Sequence, residues 1–308
     1  MKHFINLKDI PAKDLRKILI DAKRRKSVRK KFSNLEIDKG APLKGKLLIQ
    51  MFEKSSLRTR LSFFLAISQL AGRTLTLRRD ELHISEGGES IEDTAKILSN
   101  FGDAFMLRTD SDEKLEEFKK YLSIPIINGL SPSSHPTQIL SDVFTIEEIK
   151  KKPISKLNIT WIGDSNNVLN SLIAASIKFS FKLNIGCPKN YQPDPNTMKY
   201  IKNNRNKIFI YNDPKKAATG ADVIFSDKVI SLNDNVNKKK KLKDFKKFKI
   251  NDNLMKSCPK AIFLHCLPRG KEVDEKVFSS KKSKVWQQAM NRIHVQKSIL
   301  LYCFGKLR

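Results

Sequence analysis

Short apolar runs alternate along the chain with longer segments whose apolar residues recur at helical spacing. In the first half the runs are KLLIQMF, RTLTL, DAFMLR and IPIIN. In the second half they are LNITWIG, FKLNIGC, KIFIYN, DVIFSD and AIFLHCL. Strands that alternate with helices in this way predict βαβ units and therefore parallel sheets.

The predicted helices fill the gaps between these strands. They follow Leu57, cover 90–100 and 112–121, begin again at His135 and run to about Lys151, and end the chain from about Lys284 to Phe304. The pattern breaks at KKPISKL, where Pro153 marks the predicted domain boundary. A chain of 308 residues also exceeds the usual size of a single core. We therefore predict an α/β fold with two doubly wound parallel-sheet domains, 1–150 and 151–284, with the final helix at about 285–308 packing back on the first.

Composition narrows the class of protein. A hydrophobic fraction of 40% can fill a core, and no apolar stretch is long enough to span a bilayer. The N-terminal residues lack the apolar core of a signal peptide. Four scattered cysteines form no C-x-x-C pair, which indicates neither a disulfide framework nor a zinc site. We expect a cytoplasmic protein without a metal or organic cofactor.

A formal net charge of +28 raises nucleic-acid binding as an alternative. The densest basic run is NKKKKLKDFKKFKI, at 237–250. It comes with no helix-turn-helix, zinc-finger or RNP-type signature, and few aromatic residues are interleaved with its lysines to stack bases. We therefore interpret the charge as a compositional lysine bias on solvated faces, which would draw anionic substrates toward a cleft.

The segment FEKSSLRTR, at 52–60, joins a predicted buried strand to a predicted helix. Free backbone N–H groups, hydroxyls and guanidinium groups then meet at a helix N-terminus, which suits a phosphate-sized dianion. A surface charge cluster is the competing interpretation of so short a motif.

Two further polar clusters follow strand ends in the first half, where ligands of open α/β sheets bind. Arg108 closes the strand DAFMLR, although a solvent-facing strand end is an ordinary alternative. In SHPTQ, Pro136 fits the first helical position, so that His135 would be the N-cap and Gln138 would lie in the first turn. These side chains could donate to a carbonyl oxygen or a phosphate, or simply cap the helix.

The second half carries four more clusters. WIGDSNN lacks the G-x-G-x-x-G glycines of a dinucleotide site, and its Asn166 and Asn167 instead suit an amino-acid carboxylate. Asp227 follows a strand and could pair with an ammonium. Cys266 lies in HCLPRG at another strand end, although a lone cysteine is usually an inert buried residue. Arg292 lies on the last helix.

Taken together and in this order, these motifs resemble the carbamoyltransferases, and among them the ornithine carbamoyltransferases. FEKSSLRTR, GESIEDTAKIL, HPTQ and NRIH match the family as a whole, whereas the FEK lead-in, GDSNNV, the segment 227–231 and HCLP are typical of the ornithine enzymes. The resemblance covers essentially the whole chain. It implies a carbamoyl-phosphate domain and an ornithine domain with the active site in the cleft between them, and a homotrimer or a multiple of trimers.

The resemblance also implies the site residues. The carbamoyl-phosphate contacts fall on Ser56, Leu57, Arg58, Thr59, Arg108, His135, Gln138, Cys266, Leu267 and Arg292. The ornithine contacts fall on Asn167, Asp227, Ser231 and Leu232, and the catalytic roles on Arg58, His135, Cys266 and Asp227. The reaction implied is carbamoyl transfer from carbamoyl phosphate to the δ-amine of L-ornithine in arginine biosynthesis.

Several positions depart from the family pattern. Leu57 stands where Thr is usual and Ser55 where Pro is frequent, and the segment DKVISLN differs from D-x-W-x-S-M-G at Val229, Leu232 and Asn233. The stretch TLRRDELHISEGGES lacks the usual glutamine. A sister carbamoyltransferase with another acceptor, such as putrescine, an N-acylornithine or aspartate, is therefore the nearest alternative. Aspartate fits less well, because Asp227 would repel its second carboxylate.

Overall fold

The computed structural model describes residues 1–29, 31–78, 88–204, 207–230 and 237–307. Its contacts divide the chain into two compact units. One comprises Met1–Phe144 and the segment that starts at Met290, and the other comprises Thr145–Ala289.

The first unit is built around a parallel sheet. Along the chain its helices and strands are α1 (Ala12–Val28), β1 (Leu47–Phe52), α2 (Leu57–Gln69), β2 (Arg73–Arg78), α3 (Ile91–Phe101), β3 (Ala104–Arg108), α4 (Asp112–Tyr121), β4 (Ile126–Leu130) and α5 (Pro136–Lys150). The described strands lie in the order β2-β1-β3-β4. β3 and β4 are almost entirely buried, as expected for parallel strands covered on both faces.

The second unit repeats this construction. Its elements are β5 (Asn158–Ile162), α6 (Asn167–Phe179), β6 (Lys182–Gly186), α7 (Pro195–Lys202), β7 (Ile208–Tyr211), α8 (Pro214–Ala218), β8 (Val223–Ser226), α9 (Lys238–Asp244), α10 (Asp252–Ser257), β9 (Ile262–His265), α11 (Glu275–Phe278) and the first residues of α12 (Val285–Cys303). The described strands are parallel in the order β7-β6-β5-β8-β9. The prediction of an α/β fold with two parallel sheets is confirmed.

The units divide within helices and not at a loop. The first division falls between Phe144 and Thr145 in α5, and the second between Ala289 and Met290 in α12. The part of α12 from Met290 onward therefore groups with the first unit. Among the helices in the described part of the chain, none has both the length and the apolar character needed to cross a membrane.

Side-chain caps set the starts of the helices that face the strand ends. Ser56 Oγ accepts from Thr59 N at α2, and Ser111 Oγ accepts from Lys114 N at α4. In the second unit Asn166 caps α6. Each cap satisfies backbone N–H groups that the helix itself leaves without partners. The predicted helix start at Leu57 follows from the Ser56 cap.

Candidate active site

The turn after β1 places Ser56, Arg58 and Thr59 at the N-terminus of α2. Ser56 is the N-cap, and Leu57 is the first helical residue and is 72% exposed. β1 and β3 are neighbours whose register pairs Phe52 with Arg108. The carboxyl ends of the two strands therefore bring the turn and Arg108 to the same edge of the sheet.

Arg292 joins two of the predicted contacts to the last helix. Its Nη1 donates to Gln138 Oε1 at 2.5 Å, and its Nη2 donates to Thr59 Oγ1 at 2.9 Å. All three residues are at most 2% exposed. Gln138 in turn donates from Nε2 to Asp142 Oδ1 at 2.8 Å. A buried guanidinium thus holds residues of α2 and α5 in fixed positions.

His135 lies buried among three arginines. Burial, followed by the positive charges of Arg292, Arg108 and Arg58, holds its pKa well below the ordinary value of 6.5. The imidazole is therefore neutral at pH 7 and can donate one N–H without carrying a charge. Three cations around one buried imidazole create a positive potential that suits an anion.

Asn128, in the middle of β4, supports the turn that precedes His135. Its Nδ2 lies within hydrogen-bond distance of Ser134 Oγ at 2.9 Å, Ile5 O at 3.1 Å and Ser131 Oγ at 3.2 Å. Asn128 is completely buried. No motif in the sequence points to Asn128, because an asparagine inside an apolar run carries no signal of its contacts.

In the second unit, the turn after β5 presents two asparagines. Gly163 takes φ +151°, a conformation that favours glycine. Asn166 Oδ1 accepts from Val168 N at 3.0 Å and Leu169 N at 3.1 Å. Its Nδ2 donates to Asp227 Oδ2 at 2.9 Å. Asn167 is the first residue of α6 and is partly exposed. Asn166 therefore orients Asp227, a role that the sequence did not reveal.

Asp227 also accepts from Cys266. Cys266 Sγ donates to Asp227 Oδ1 at 2.8 Å. β8 and β9 are neighbours whose register pairs Ser226 with His265, so the residues that follow each strand lie side by side. The carboxylate of Asp227 is held between an amide and a thiol, which fixes the direction in which it can receive an ammonium group.

A buried histidine shapes the turn that carries Cys266 and Leu267. Leu267 N donates to His265 Nδ1 at 2.9 Å, so the proton of the neutral ring lies on Nε2, which donates to Glu272 Oε1 at 3.1 Å. Burial alone would raise the pKa of Glu272, but the hydrogen bonds from His265 and Gly270 N hold it below its usual value. This pair supports the backbone beneath Cys266.

The basic run also contributes to this turn. Lys238–Lys240 are exposed, whereas Lys241 is 4% exposed and its Nζ lies 2.5 Å from Asp164 Oδ2. Asp164 belongs to the turn between β5 and α6. The interpretation of the run as solvated lysines therefore does not hold for Lys241, which pairs with a carboxylate two residues before Asn166.

Two of the predicted ornithine contacts, Ser231 and Leu232, lie outside the described residues, as does most of TLRRDELHISEGGES. In the described part of the chain, no three His, Cys, Asp or Glu side chains are arranged to hold a metal ion.

A cavity of about 880 Å³ lies elsewhere in the first unit. Its charged lining is mostly basic, with Arg24, Arg25, Lys39, Lys44 and Lys306. None of the predicted site residues lines it. The chemistry of the strand ends, and not the size of a cavity, therefore locates the candidate site.

Comparisons with known proteins agree with the motifs. Residues 2–148 match the model of the aspartate/ornithine carbamoyltransferase, carbamoyl-P binding domain, and residues 155–303 match that of the Asp/Orn binding domain. The chain is 40% identical to ornithine carbamoyltransferase of Caulobacter vibrioides, covering 99% of this chain and 98% of that one. It is 42% identical to the Brucella suis enzyme, with 98% and 96% covered.

Solved structures give the same result. The ornithine carbamoyltransferase of Pyrococcus furiosus has a TM-score of 0.90 at 36% identity, covering 97% of this chain and 96% of that one. The anabolic enzyme of Campylobacter jejuni has a TM-score of 0.89 at 34% identity, with 99% and 100% covered. The resemblance seen in the sequence is confirmed: the chain belongs to the aspartate/ornithine carbamoyltransferase family.

Proposed function

We propose that this chain is an ornithine carbamoyltransferase, which converts carbamoyl phosphate and L-ornithine into L-citrulline and phosphate in arginine biosynthesis. The observation that carries the proposal is the buried, neutral His135 with Arg58, Arg108 and Arg292 around it. Guanidinium groups bind phosphate oxygens well, and a neutral imidazole suits a carbonyl oxygen. The named relatives support ornithine as the acceptor.

Carbamoyl phosphate binds first in this mechanism. Ser56, Arg58 and Thr59 receive its phosphate at the N-terminus of α2, where backbone N–H groups and the helix dipole favour an anion. Leu57 contributes through its backbone, so its departure from Thr leaves this contact intact. His135 and Arg58 donate to the carbonyl oxygen and stabilise the oxyanion of the tetrahedral intermediate, which is worth about 2.7–4 kcal/mol per donor.

Ornithine binds in the second unit through Asn167 to its α-carboxylate and through Asp227 to its α-ammonium, with Ser231 and Leu232 completing the site. Its δ-amine has a reference pKa of about 10.4 by analogy with lysine, so it must lose a proton before it attacks. Cys266 and Asp227 orient this amine. After the δ-ammonium has lost its first proton to solvent, the amine attacks the carbonyl carbon and forms the N–C bond of the tetrahedral intermediate. The C–O bond to phosphate then breaks, and the departing phosphate takes up the second proton from the nitrogen. No cofactor enters the proposal, since carbamoyl phosphate is already an activated acyl donor.

We also propose a homotrimer, or a multiple of it, in the cytoplasm. Leu57, Leu61 and Phe64 form an exposed apolar row on α2, with exposed fractions of 72%, 51% and 41%. Such a row suits contact with another copy of the chain. The cysteines are free thiols, which suits a reducing compartment. Leu61→Asp should dissociate the assembly in light-scattering measurements, and an unchanged mass would contradict this surface.

The test of function is a colorimetric assay for ureido products. Purified protein should carbamoylate ornithine in preference to putrescine, N-acetylornithine and aspartate. Arg58→Gln should abolish citrulline formation without unfolding the protein, whereas Arg60→Gln, which changes an exposed arginine of the same turn, should not. A faster reaction with another acceptor would overturn the assignment of ornithine, and turnover retained by Arg58→Gln would overturn the anion site.

A further inference from the structure

Glu53 is a buried carboxylate in the turn that leads to Ser56. Its side chain is 1% exposed. It accepts from Thr109 Oγ1 at 2.5 Å and from Asp110 N at 3.2 Å, and it forms an ion pair with Lys114 Nζ. None of the roles assigned above uses this residue, although burying a carboxylate is costly unless it is paired and hydrogen-bonded.

These contacts join the strand ends that carry the anion site. The backbone N–H of Glu53 donates to Arg108 O at 3.0 Å, and Thr109 N donates to Leu130 O at 3.0 Å. The side chain of Glu53 accepts hydrogen bonds from the two residues that follow Arg108, Thr109 and Asp110. β1, β3 and β4 are thus locked together at the points where Ser56, Arg108 and the turn to His135 begin.

The charge of Glu53 has a second consequence. A carboxylate near a site for a dianion would weaken binding by repulsion, and burial strengthens that repulsion because the local dielectric constant is low. Lys114 supplies the neutralising charge, with its side chain 17% exposed. Lys114 therefore favours anion binding by offsetting the negative charge of Glu53. In a variant without that negative charge, the positive charge of Lys114 would no longer be needed for this purpose.

We propose that Glu53 is a positioning residue for the carbamoyl-phosphate site, and that Lys114 is the counter-ion that makes its charge tolerable. The inference rests on the proposed function. It predicts that the effects of the two substitutions on KM for carbamoyl phosphate are not additive. Loss of Lys114 alone leaves the negative charge of Glu53 unbalanced, whereas loss of both groups leaves no such charge.

The experiment compares Glu53→Gln, Lys114→Met and the double variant in steady-state kinetics. Glu53→Gln should raise KM for carbamoyl phosphate about tenfold, while KM for ornithine stays within about twofold of wild type. Lys114→Met should raise KM for carbamoyl phosphate further, and adding Glu53→Gln to it should bring that KM partly back. Glu117→Gln and Lys120→Met, on the exposed surface of α4, are the matched controls.

Calorimetry with inorganic phosphate provides a second readout, which needs no turnover. The phosphate dissociation constants should follow the same order as KM for carbamoyl phosphate. Unchanged KM and phosphate binding in all three variants, with only a loss of thermal stability, would show a merely structural role and overturn the inference. If Glu53→Gln does not fold, Thr109→Val removes one donor more gently and should raise the same KM. A wild-type protein that binds phosphate but makes no citrulline would instead overturn the proposed function.

Discussion

Asn166 performs two separable tasks, and replacing it by Ala or Ser distinguishes them. Its Oδ1 caps α6 through Val168 N and Leu169 N, and its Nδ2 donates to Asp227. Serine at an N-cap can still accept from the helix N–H groups, but its short side chain cannot replace the amide donor to Asp227. Alanine can do neither.

The geometry sets the expected magnitudes. Both variants lose the bond to Asp227, but only Asn166→Ala also loses the cap, so its free energy of unfolding should fall by about 1 kcal/mol more than that of Asn166→Ser. A hydrogen bond to a charged group is worth about 1.5–3 kcal/mol. Both variants lose this bond, so KM for ornithine should rise about 10- to 150-fold in each.

Urea unfolding and steady-state kinetics together provide the assay. KM for carbamoyl phosphate serves as the internal control and should stay unchanged in both variants. A wild-type KM for ornithine in Asn166→Ser would contradict this prediction, because the donor to Asp227 would then be unnecessary. Equal free energies of unfolding in the two variants would contradict the role of the cap.

Three other changes test separate parts of the structure. Arg292→Leu should raise KM for carbamoyl phosphate at least about tenfold in the citrulline assay, because it removes a charge and releases Gln138; an unchanged KM would contradict the site. Burial and nearby cations, Lys297 first, lower the pKa of His294 to about 3. The unfolded state binds this proton below pH 6.5 and the native state does not, so stability falls as pH drops from 6.5 toward 3. His294 should therefore lower the free energy of unfolding at pH 5 by about 2 kcal/mol. In urea titrations, His294→Asn should lose about that much less of its free energy of unfolding between pH 7 and pH 5 than the wild type does. The same decrease in both proteins would refute the lowered pKa of His294. Leu57→Thr should leave KM for carbamoyl phosphate within about twofold, since only the backbone of Leu57 would touch the ligand; a larger change would place its side chain in the site.

Much of the fold could be predicted because parallel strands have a recognisable local sequence pattern. Continuous apolar runs such as DAFMLR become buried strands, and polar residues directly after them must lie at one edge of the sheet. Arg108 and Asp227 were identified as site candidates for that reason alone. Serine and asparagine are the residues that precede the helices α2 and α6, and both residue types favour an N-cap.

The contacts that complete the site could not be predicted in the same way. Arg292 meets Gln138 and Thr59 across 154 and 233 positions of the chain, and no local pattern encodes a pairing at such separations. Asn128 and Glu53 lie within or next to apolar runs, where burial converts an ordinary polar residue into a support for its neighbours. Such roles depend on packing, which periodicity does not determine.

The burial of Lys241 beside Asp164 has a consequence for how this chain tolerates sequence change. A genome that favours lysine codons can add or remove lysines at Lys238, Lys239 and Lys240 almost without cost, because each is exposed. A neutral residue at 241 would remove the positive charge that pairs with the largely buried carboxylate of Asp164. Among related sequences we therefore expect free exchange at 238, 239 and 240 and restriction to Lys or Arg at 241. Neighbouring lysines of one run would then be under very different selective constraint.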